Sequence, residues 1–310
     1  MEQMLTTKPD LEDRDGIKIL KSQFSDPNPR MGEIVDWRAR IQDPSLNPSH
    51  ADFIFRKFVY EQFYSQYSNL LSASFGENFK NAVVLDIGCG DCFGVESWVS
   101  GCKEFHGLDI MPDQLSLARK YLPVDKFPHV NLYQVPVTAD LFEPGFADCV
   151  ISSEVIEHLD DPIEHVRRLC EWVKPGGLVC ISTPCPMLYL YPSQLFPLLK
   201  NSGGRGFLRK ALNAADYWEE MLPAHPALRP HVLRSWLEKE ELSEFRQWSC
   251  LFQLETQWSL KFSRFLEGRG WSIHLPLFER FLRFKESLPM NVSVLKMIGT
   301  RQFIVGRKPR

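Results

Sequence analysis

No stretch of this 310-residue sequence approaches the ~18 consecutive apolar residues of a membrane-spanning helix. The opening Met1-Glu2-Gln3-Met4 lacks the charged-then-apolar pattern of a secretory leader. Both absences point to the cytoplasm, where thiols stay reduced, and away from a membrane partner. Charge of one sign is not in excess either: 36 Lys and Arg stand against 39 Asp and Glu, a net of −3. Such a chain has no overall field to draw in a polyanion, so nucleic acid is not the expected partner. Arg205, Arg209 and Lys210 make a modest basic run that reads as a solvated face. Internal repeats and low-complexity tracts are missing. Cys89 and Cys92 form a lone CxxC with no second pair at zinc-ribbon spacing, which argues against a structural zinc. The eight cysteines are scattered, and several, such as Cys149 and Cys180, sit inside apolar runs where a thiol behaves as a small hydrophobe.

What is present is ordinary globular material, 44% hydrophobic and 24% charged, enough for one large domain with an accessory layer. Residues 1–50 are polar and read as an N-terminal arm with little regular structure. Over 51–75, Phe55, Phe58, Val59, Phe63, Tyr67, Leu70 and Leu71 recur at three- and four-residue steps and predict an amphipathic helix. This helix either covers the core or also walls a pocket. From residue 82 the period changes. Short apolar runs predict strands at 82–87, 104–109, 130–135, 149–153 and 178–183. Helical stretches are predicted near 93–100, over 112–122 and over 162–173, the last capped by Asp160 or Asp161. Unbroken apolar strands alternating with helices predict a parallel sheet covered on both faces.

After Pro184 the alternation stops until Trp271–Leu275, the next strand candidate, 87 residues on. Connections in such folds take ~2–6 residues, so this stretch must build something of its own. Helices are predicted at 195–199, 207–222, 232–245 and 252–266, and a last strand at 302–305. The chain therefore divides into an arm (1–50), a core with its preceding helix (51–184), a helical cap or substrate insertion (185–260) and a C-terminal completion of the sheet (261–310). The aromatics of 185–260, among them Tyr189, Tyr217, Trp218 and Trp236, form either a satellite core or a lid over a flat acceptor.

The chemistry concentrates where the first core strand ends. Leu85-Asp86-Ile87-Gly88-Cys89-Gly90 is a strand running into a glycine turn, which lets a ligand approach the backbone closely. Asp109 ends the next strand 23 residues after Asp86, where a carboxylate can take both hydroxyls of a ribose. A nicotinamide dinucleotide site would need glycine at position 93, which is Phe93, and would not favour Asp86 beside a pyrophosphate. Further along stand Ser152-Ser153-Glu154-Val155-Ile156-Glu157-His158-Leu159 and Lys174-Pro175-Gly176-Gly177.

With these four motifs in this order, the sequence resembles the class I S-adenosylmethionine-dependent methyltransferases, in particular their small-molecule branch. The resemblance covers residues 80–185 well and the remainder loosely. It implies a Rossmann-like, doubly wound, mostly parallel seven-stranded α/β sheet with helical N-terminal and cap elements. It implies S-adenosyl-L-methionine as cofactor, with Asp86 orienting the amino group and Gly88, Cys89 and Gly90 forming the turn against the methionine moiety. Asp109 is then expected on the ribose, Ile110 beside the adenine, Asp140 on the adenine amino group and Ser153 among the cofactor residues. Cys92 departs from the pattern, since many members carry a third glycine there.

Glu154, Glu157 and His158 follow the fourth strand at spacing i, i+3, i+4, which a helix would turn to one side. Three readings stay open: carboxylates bonded locally with His158 shaping the pocket, His158 as general base, or Glu154, Glu157 and His158 holding a divalent magnesium or manganese ion. The segment resembles the metal-binding Glu-x-x-Glu-His of ubiquinone-pathway O-methyltransferases and of small-RNA 3′-terminal ribose methyltransferases, in which His231 would add a further histidine. His158 and His231 are thus the candidate catalytic residues. His165 is expected to be solvated and His225 to lie on a surface loop. The acceptor expected is a small molecule or biosynthetic intermediate, methylated on oxygen. The alternatives are a metal-dependent RNA 2′-O-methyltransferase and a non-catalytic binder of S-adenosylmethionine. The oligomeric state is not legible in the sequence.

Overall fold

Val83–Ile87 (β3) is buried at every position, as a strand with cover on both faces must be. The computed structural model describes residues 10–20, 36–47, 49–184, 230–250, 264–270, 280 and 301–310. Around β3 the described strands are β1 (Leu11–Arg14), β2 (Ile17–Leu20), β4 (Glu104–Asp109), β5 (Val130–Gln134), β6 (Ala147–Ser153), β7 (Val173–Pro184), β8 (Ser243–Cys250) and β9 (Arg301–Arg307). They form one sheet in the order β1-β2-β5-β4-β3-β6-β7-β9-β8. The run from β2 to β7 is parallel throughout. β1 against β2, and β9 against both β7 and β8, are antiparallel.

Side chains alternate between two apolar layers. On one face Val84, Cys149, Ile151 and Cys180 meet Phe63, Tyr67 and Leu71 of α2 (His50–Phe75) and Leu115 and Ala118 of α3 (Pro112–Tyr121). On the other, Leu85, Val150, Val179 and Ile304 meet Val166, Leu169 and Trp172 of α4 (Pro162–Trp172) and Leu233 and Leu237 of α5 (Pro230–Lys239). The Asp161 side chain accepts from Glu164 N at 3.0 Å and caps α4, with Pro162 in its first turn. Strand order reverses at β3, whose neighbours are β4 and β6. Ligands of such sheets bind at the carboxyl ends of the strands at that reversal.

The mostly parallel α/β architecture is as expected from the sequence. A seven-stranded unit β5-β4-β3-β6-β7-β9-β8 lies inside the larger sheet, and the hairpin β1–β2 extends its edge. That hairpin corrects the reading of 1–50 as an arm with little regular structure. Asp15 and Gly16 take φ of 56° and 77°, a two-residue turn whose twist suits paired strands. The arm also contains a short helix, α1 (Trp37–Gln42), capped by the Asp36 side chain. The helix expected near 93–100 is replaced by two 3-10 turns at Val95–Ser97 and Val99–Gly101, because the chain enters them through left-handed residues at 92 and 94.

The helix expected over 232–245 ends at Lys239, and β8 begins at Ser243. Glu241 closes it with φ 63°, Glu241 N donating to Glu238 O and Leu242 N to Leu237 O, the paired bonds of a Schellman stop. β8 is a strand not expected from the sequence; the strand candidate 271–275 and the helices expected at 195–199 and 207–222 lie outside the described residues. Of the helix expected over 252–266, residues 264–266 are described and are helical, as is residue 267. The closing strand 302–305 is present within β9.

Candidate active site

The glycine turn at the tip of β3 opens on a cavity of about 240 Å³. Gly88 takes φ 74°, and a Cβ there would stand 2.2 Å from a Val155 methyl, so only glycine fits. At Gly90 a Cβ would meet nothing nearer than the Gln114 side chain at 4.0 Å. The absent side chain at 90 therefore leaves room at the cavity wall. Asp86, Gly88, Cys89, Gly90 and Ser153, all expected at the cofactor, line this cavity, and Glu154 lines it with them.

Asp86 is buried, and its Oδ1 has no hydrogen-bond partner among the described residues. Burial and the nearby Asp109 carboxylate push its pKa up to about 7. A buried carboxylate oxygen without a donor is costly unless a ligand supplies one. Asp109 accepts from Gly90 N and Met111 N, each at 2.8 Å. It thereby ties the glycine turn to the end of β4, and its second lone pairs remain for a ligand. Burial also moves its pKa upward. Ile110 follows it and is half-buried. Asp140 is exposed in the segment after β5, and Asp109, Ile110 and Asp140 are not among the residues that line the cavity.

The remaining walls were not assigned from the sequence. α2 contributes Tyr60, Tyr64 and Tyr67 at i, i+4, i+7. That spacing was the available signal, and it decides for the pocket-walling reading of this helix. Tyr67 donates to Ser182 Oγ at 2.8 Å, and Ser182 and Ser153 hydroxyls are 3.0 Å apart. Phe93 packs between Tyr60 and Tyr64, with centroids 4.7 and 4.8 Å away. Asp91 and Trp98 complete the wall on the side of the glycine turn.

The Glu-x-x-Glu-His segment is not a regular helix, which corrects the single-sided arrangement expected. Glu154 takes φ 56°, and only Ile156–His158 forms a 3-10 turn. The three side chains consequently meet different partners. Glu154 pairs with Arg301 at 2.5 Å. Glu157 is buried and accepts from Thr183 Oγ1 at 3.0 Å, and burial beside the Glu154 charge pushes its pKa up to about 8. The His158 side chain is 56% exposed, its Nε2 3.9 Å from Glu157 Oε1. Among the described residues no three His, Cys, Asp or Glu side chains gather to hold a metal ion. Arg301 takes Glu154 Oε2 and Thr183 takes Glu157 Oε2, while Glu154 Oε1 has no hydrogen-bond partner among the described residues. With no third ligand gathered beside these carboxylates among the described residues, the residues as arranged do not fit the magnesium or manganese site.

His231 is exposed in the first turn of α5, a helix that packs on α4 and β9. His165 is buried rather than solvated: its Nε2 lies 2.9 Å from Ser152 Oγ, and burial lowers its pKa to about 4. His225 lies outside the described residues. Among the described residues no disulfide forms, and Cys89 and Cys92 are not joined to each other. No described helix is long and apolar enough to cross a membrane.

A family profile described as a methyltransferase domain matches residues 56–255, well over half of the chain. The ubiquinone biosynthesis O-methyltransferase of Pectobacterium carotovorum is 30% identical over 167 residues, 52% of this chain and 62% of that protein. That of Nitrosospira multiformis is 36% identical over 101 residues, 32% and 42% of the two chains. The chain spans less than two thirds of the length of these relatives. Among solved structures, a phosphoethanolamine N-methyltransferase 2 from Haemonchus contortus, in complex with phosphomonomethylethanolamine and S-adenosylhomocysteine, superposes with a TM-score of 0.50 at 18% identity. It covers 89% of this chain and 61% of that one. A protein from Bordetella parapertussis reaches 0.52 at 13% identity, covering 88% and 78%. The likeness to these two structures is one of fold alone. The profile match, together with the glycine turn between two buried aspartates at the strand reversal, leads to one conclusion: this chain belongs to the methyltransferase-domain family of class I S-adenosylmethionine-dependent methyltransferases.

Proposed function

We propose that the chain transfers a methyl group from S-adenosylmethionine to an oxygen atom of a small biosynthetic intermediate. The observation that carries this reading is the unpartnered Oδ1 of Asp86, buried at a cavity whose glycine wall leaves space for a ligand. When bound, S-adenosylmethionine supplies a methyl group on a cationic sulfonium, open to in-line displacement.

The chain's own residues would act around it. Asp86 accepts from the ligand's ammonium, and Asp109 accepts from its ribose hydroxyls while keeping its bonds to Gly90 and Met111. Asp86 and Glu154 beside the tyrosines suit a cation, and the aromatic wall of Tyr60, Tyr64 and Phe93 excludes water from the transfer. Displacement at a sulfonium disperses charge, so the protein's task is mainly alignment. An oxygen acceptor must also lose a proton. His158 is the group we assign to it, with Glu157 behind the imidazole. The O-methyltransferase names of the sequence relatives support an oxygen acceptor. Neither histidine lines the cavity; His158 is preferred because it follows the lining residue Glu154 by four positions, whereas His231 sits on α5, which packs on α4 and β9.

The test is transfer of radiolabelled methyl from S-adenosylmethionine across a metabolite extract, with the labelled product identified. An ether or ester methyl is expected. His158→Ala should slow transfer about a hundredfold while leaving cofactor affinity unchanged. A labelled nitrogen or carbon, or a full rate in His158→Ala, contradicts the respective part of the proposal.

A further inference from the structure

Arg38 of α1 is buried to 1% exposure, although it comes from a polar segment far from the motifs in sequence. Its guanidinium spends its donors on one short turn. Nη1 donates to Asp91 O at 2.7 Å and to Asp91 Oδ2 at 3.0 Å. Nη2 donates to Cys92 O at 2.6 Å and to Glu96 Oε2 at 3.0 Å, and Nε donates to Glu96 Oε1 at 3.1 Å. The plane of the fork lies over Tyr121, 4.3 Å from its centroid, and 5.2 Å from that of Phe93. A side chain with this many directed bonds to one turn fixes its conformation and does not merely fill space.

The turn in question walls the cavity, since Gly90, Asp91, Phe93 and Val95 all face it. It also contains a conformational misfit. Cys92 sits at φ 54°, in the left-handed region that a side chain disfavours, and its carbonyl is one of the atoms that Arg38 holds. Asp91, buried beside it, pairs with the guanidinium through Oδ2 at 3.0 Å, so the carboxylate that lines the cavity is fixed by Arg38.

We propose that Arg38 is a positioning residue for the cofactor: by clamping Asp91, Cys92 and Glu96 it holds the turn in the ligand-accepting shape, and it is required because residue 92 is not glycine. This inference rests on the S-adenosylmethionine reading of the cavity. Two consequences follow from the geometry. Losing the fork loosens the turn and weakens the ligand. Replacing Cys92 by glycine removes the backbone misfit and makes Arg38 less necessary.

The experiment is calorimetric titration of the full chain with S-adenosylhomocysteine, on the wild type, Arg38→Met, Cys92→Gly and the double variant. We expect Arg38→Met to raise Kd at least tenfold, Cys92→Gly alone to leave it within about twofold, and Cys92→Gly to recover threefold or more of the affinity lost in Arg38→Met. Recovery of that kind is not produced by a role in stability alone, and melting curves of the ligand-free variants report stability separately. A folded Arg38→Met with wild-type Kd, or a double variant no tighter than Arg38→Met, overturns the proposal. Should Arg38→Met not fold, Arg38→Lys replaces it in the series, and a wild-type Kd there overturns the proposal equally. If the wild type itself gives no heat, the reading of the cavity falls, and that failure is distinct from a failure of the clamp.

Discussion

Asp86 and Asp109 divide the work between them by how their oxygens are used. Asp109 is already bonded to two backbone amides, which stiffens the turn, whereas Asp86 keeps an oxygen without a hydrogen-bond partner among the described residues. With its pKa raised from 3.8 to about 7, Asp86 is protonated more readily in the folded chain than in the unfolded one. The folded state then binds the extra proton between these values. Its stabilising contribution is complete below about pH 4 and is lost as pH rises towards 7. Ligand binding has the opposite slope, because an ammonium needs the ionised carboxylate. The Kd for S-adenosylhomocysteine should therefore tighten about tenfold between pH 6 and pH 8, and Asp86→Asn should flatten the profile while weakening binding. A flat profile in the wild type, measured by titration at fixed ionic strength, would show that Asp86 does not meet the ligand's charge.

At the scale of elements, the end of α5 lends itself to measurement. Glu241 is exposed and left-handed at the position where glycine commonly stops a helix. Glu241→Gly should stabilise the chain by about 1 kcal/mol, seen as a raised melting temperature with unchanged ligand affinity. A lowered melting temperature would mean that the glutamate side chain contributes more than its backbone costs. The same residue explains why the sequence misled here. With no glycine or asparagine as a stop, the apolar spacing of 232–245 read as one helix, and β8 went unseen. The parallel strands β3 to β7 were legible because each is a short apolar run with its own terminator. The hairpin β1–β2 has a turn signal in Asp15-Gly16 that went unread, because the polarity of its surroundings masked it. At the site, the motif residues Asp86, Gly88 and Gly90 could be read directly, since glycine and acid at a strand tip have few other uses. Arg38 could not, because its partners lie more than fifty residues away. The helical reading of Glu154–His158 failed because left-handed Glu154 breaks the spacing on which that reading relied.

For the whole molecule, the sheet sets the chemistry's location. The reversal at β3 brings the ends of β3, β4 and β6 to one edge, and α2 crosses this edge with its tyrosines towards the cavity. The arm returns through Arg38 to the same turn. Three separate parts of the sequence therefore converge on one pocket suited to a cationic nucleoside. The measurement that tests this most directly is the affinity of the full chain for S-adenosylhomocysteine, compared between wild type and Asp109→Ala at pH 7.5. The account predicts saturable one-to-one binding by the wild type and at least a hundredfold weaker binding by the variant, with both proteins folded. Equal affinity in the two proteins, or none in the wild type, would contradict it.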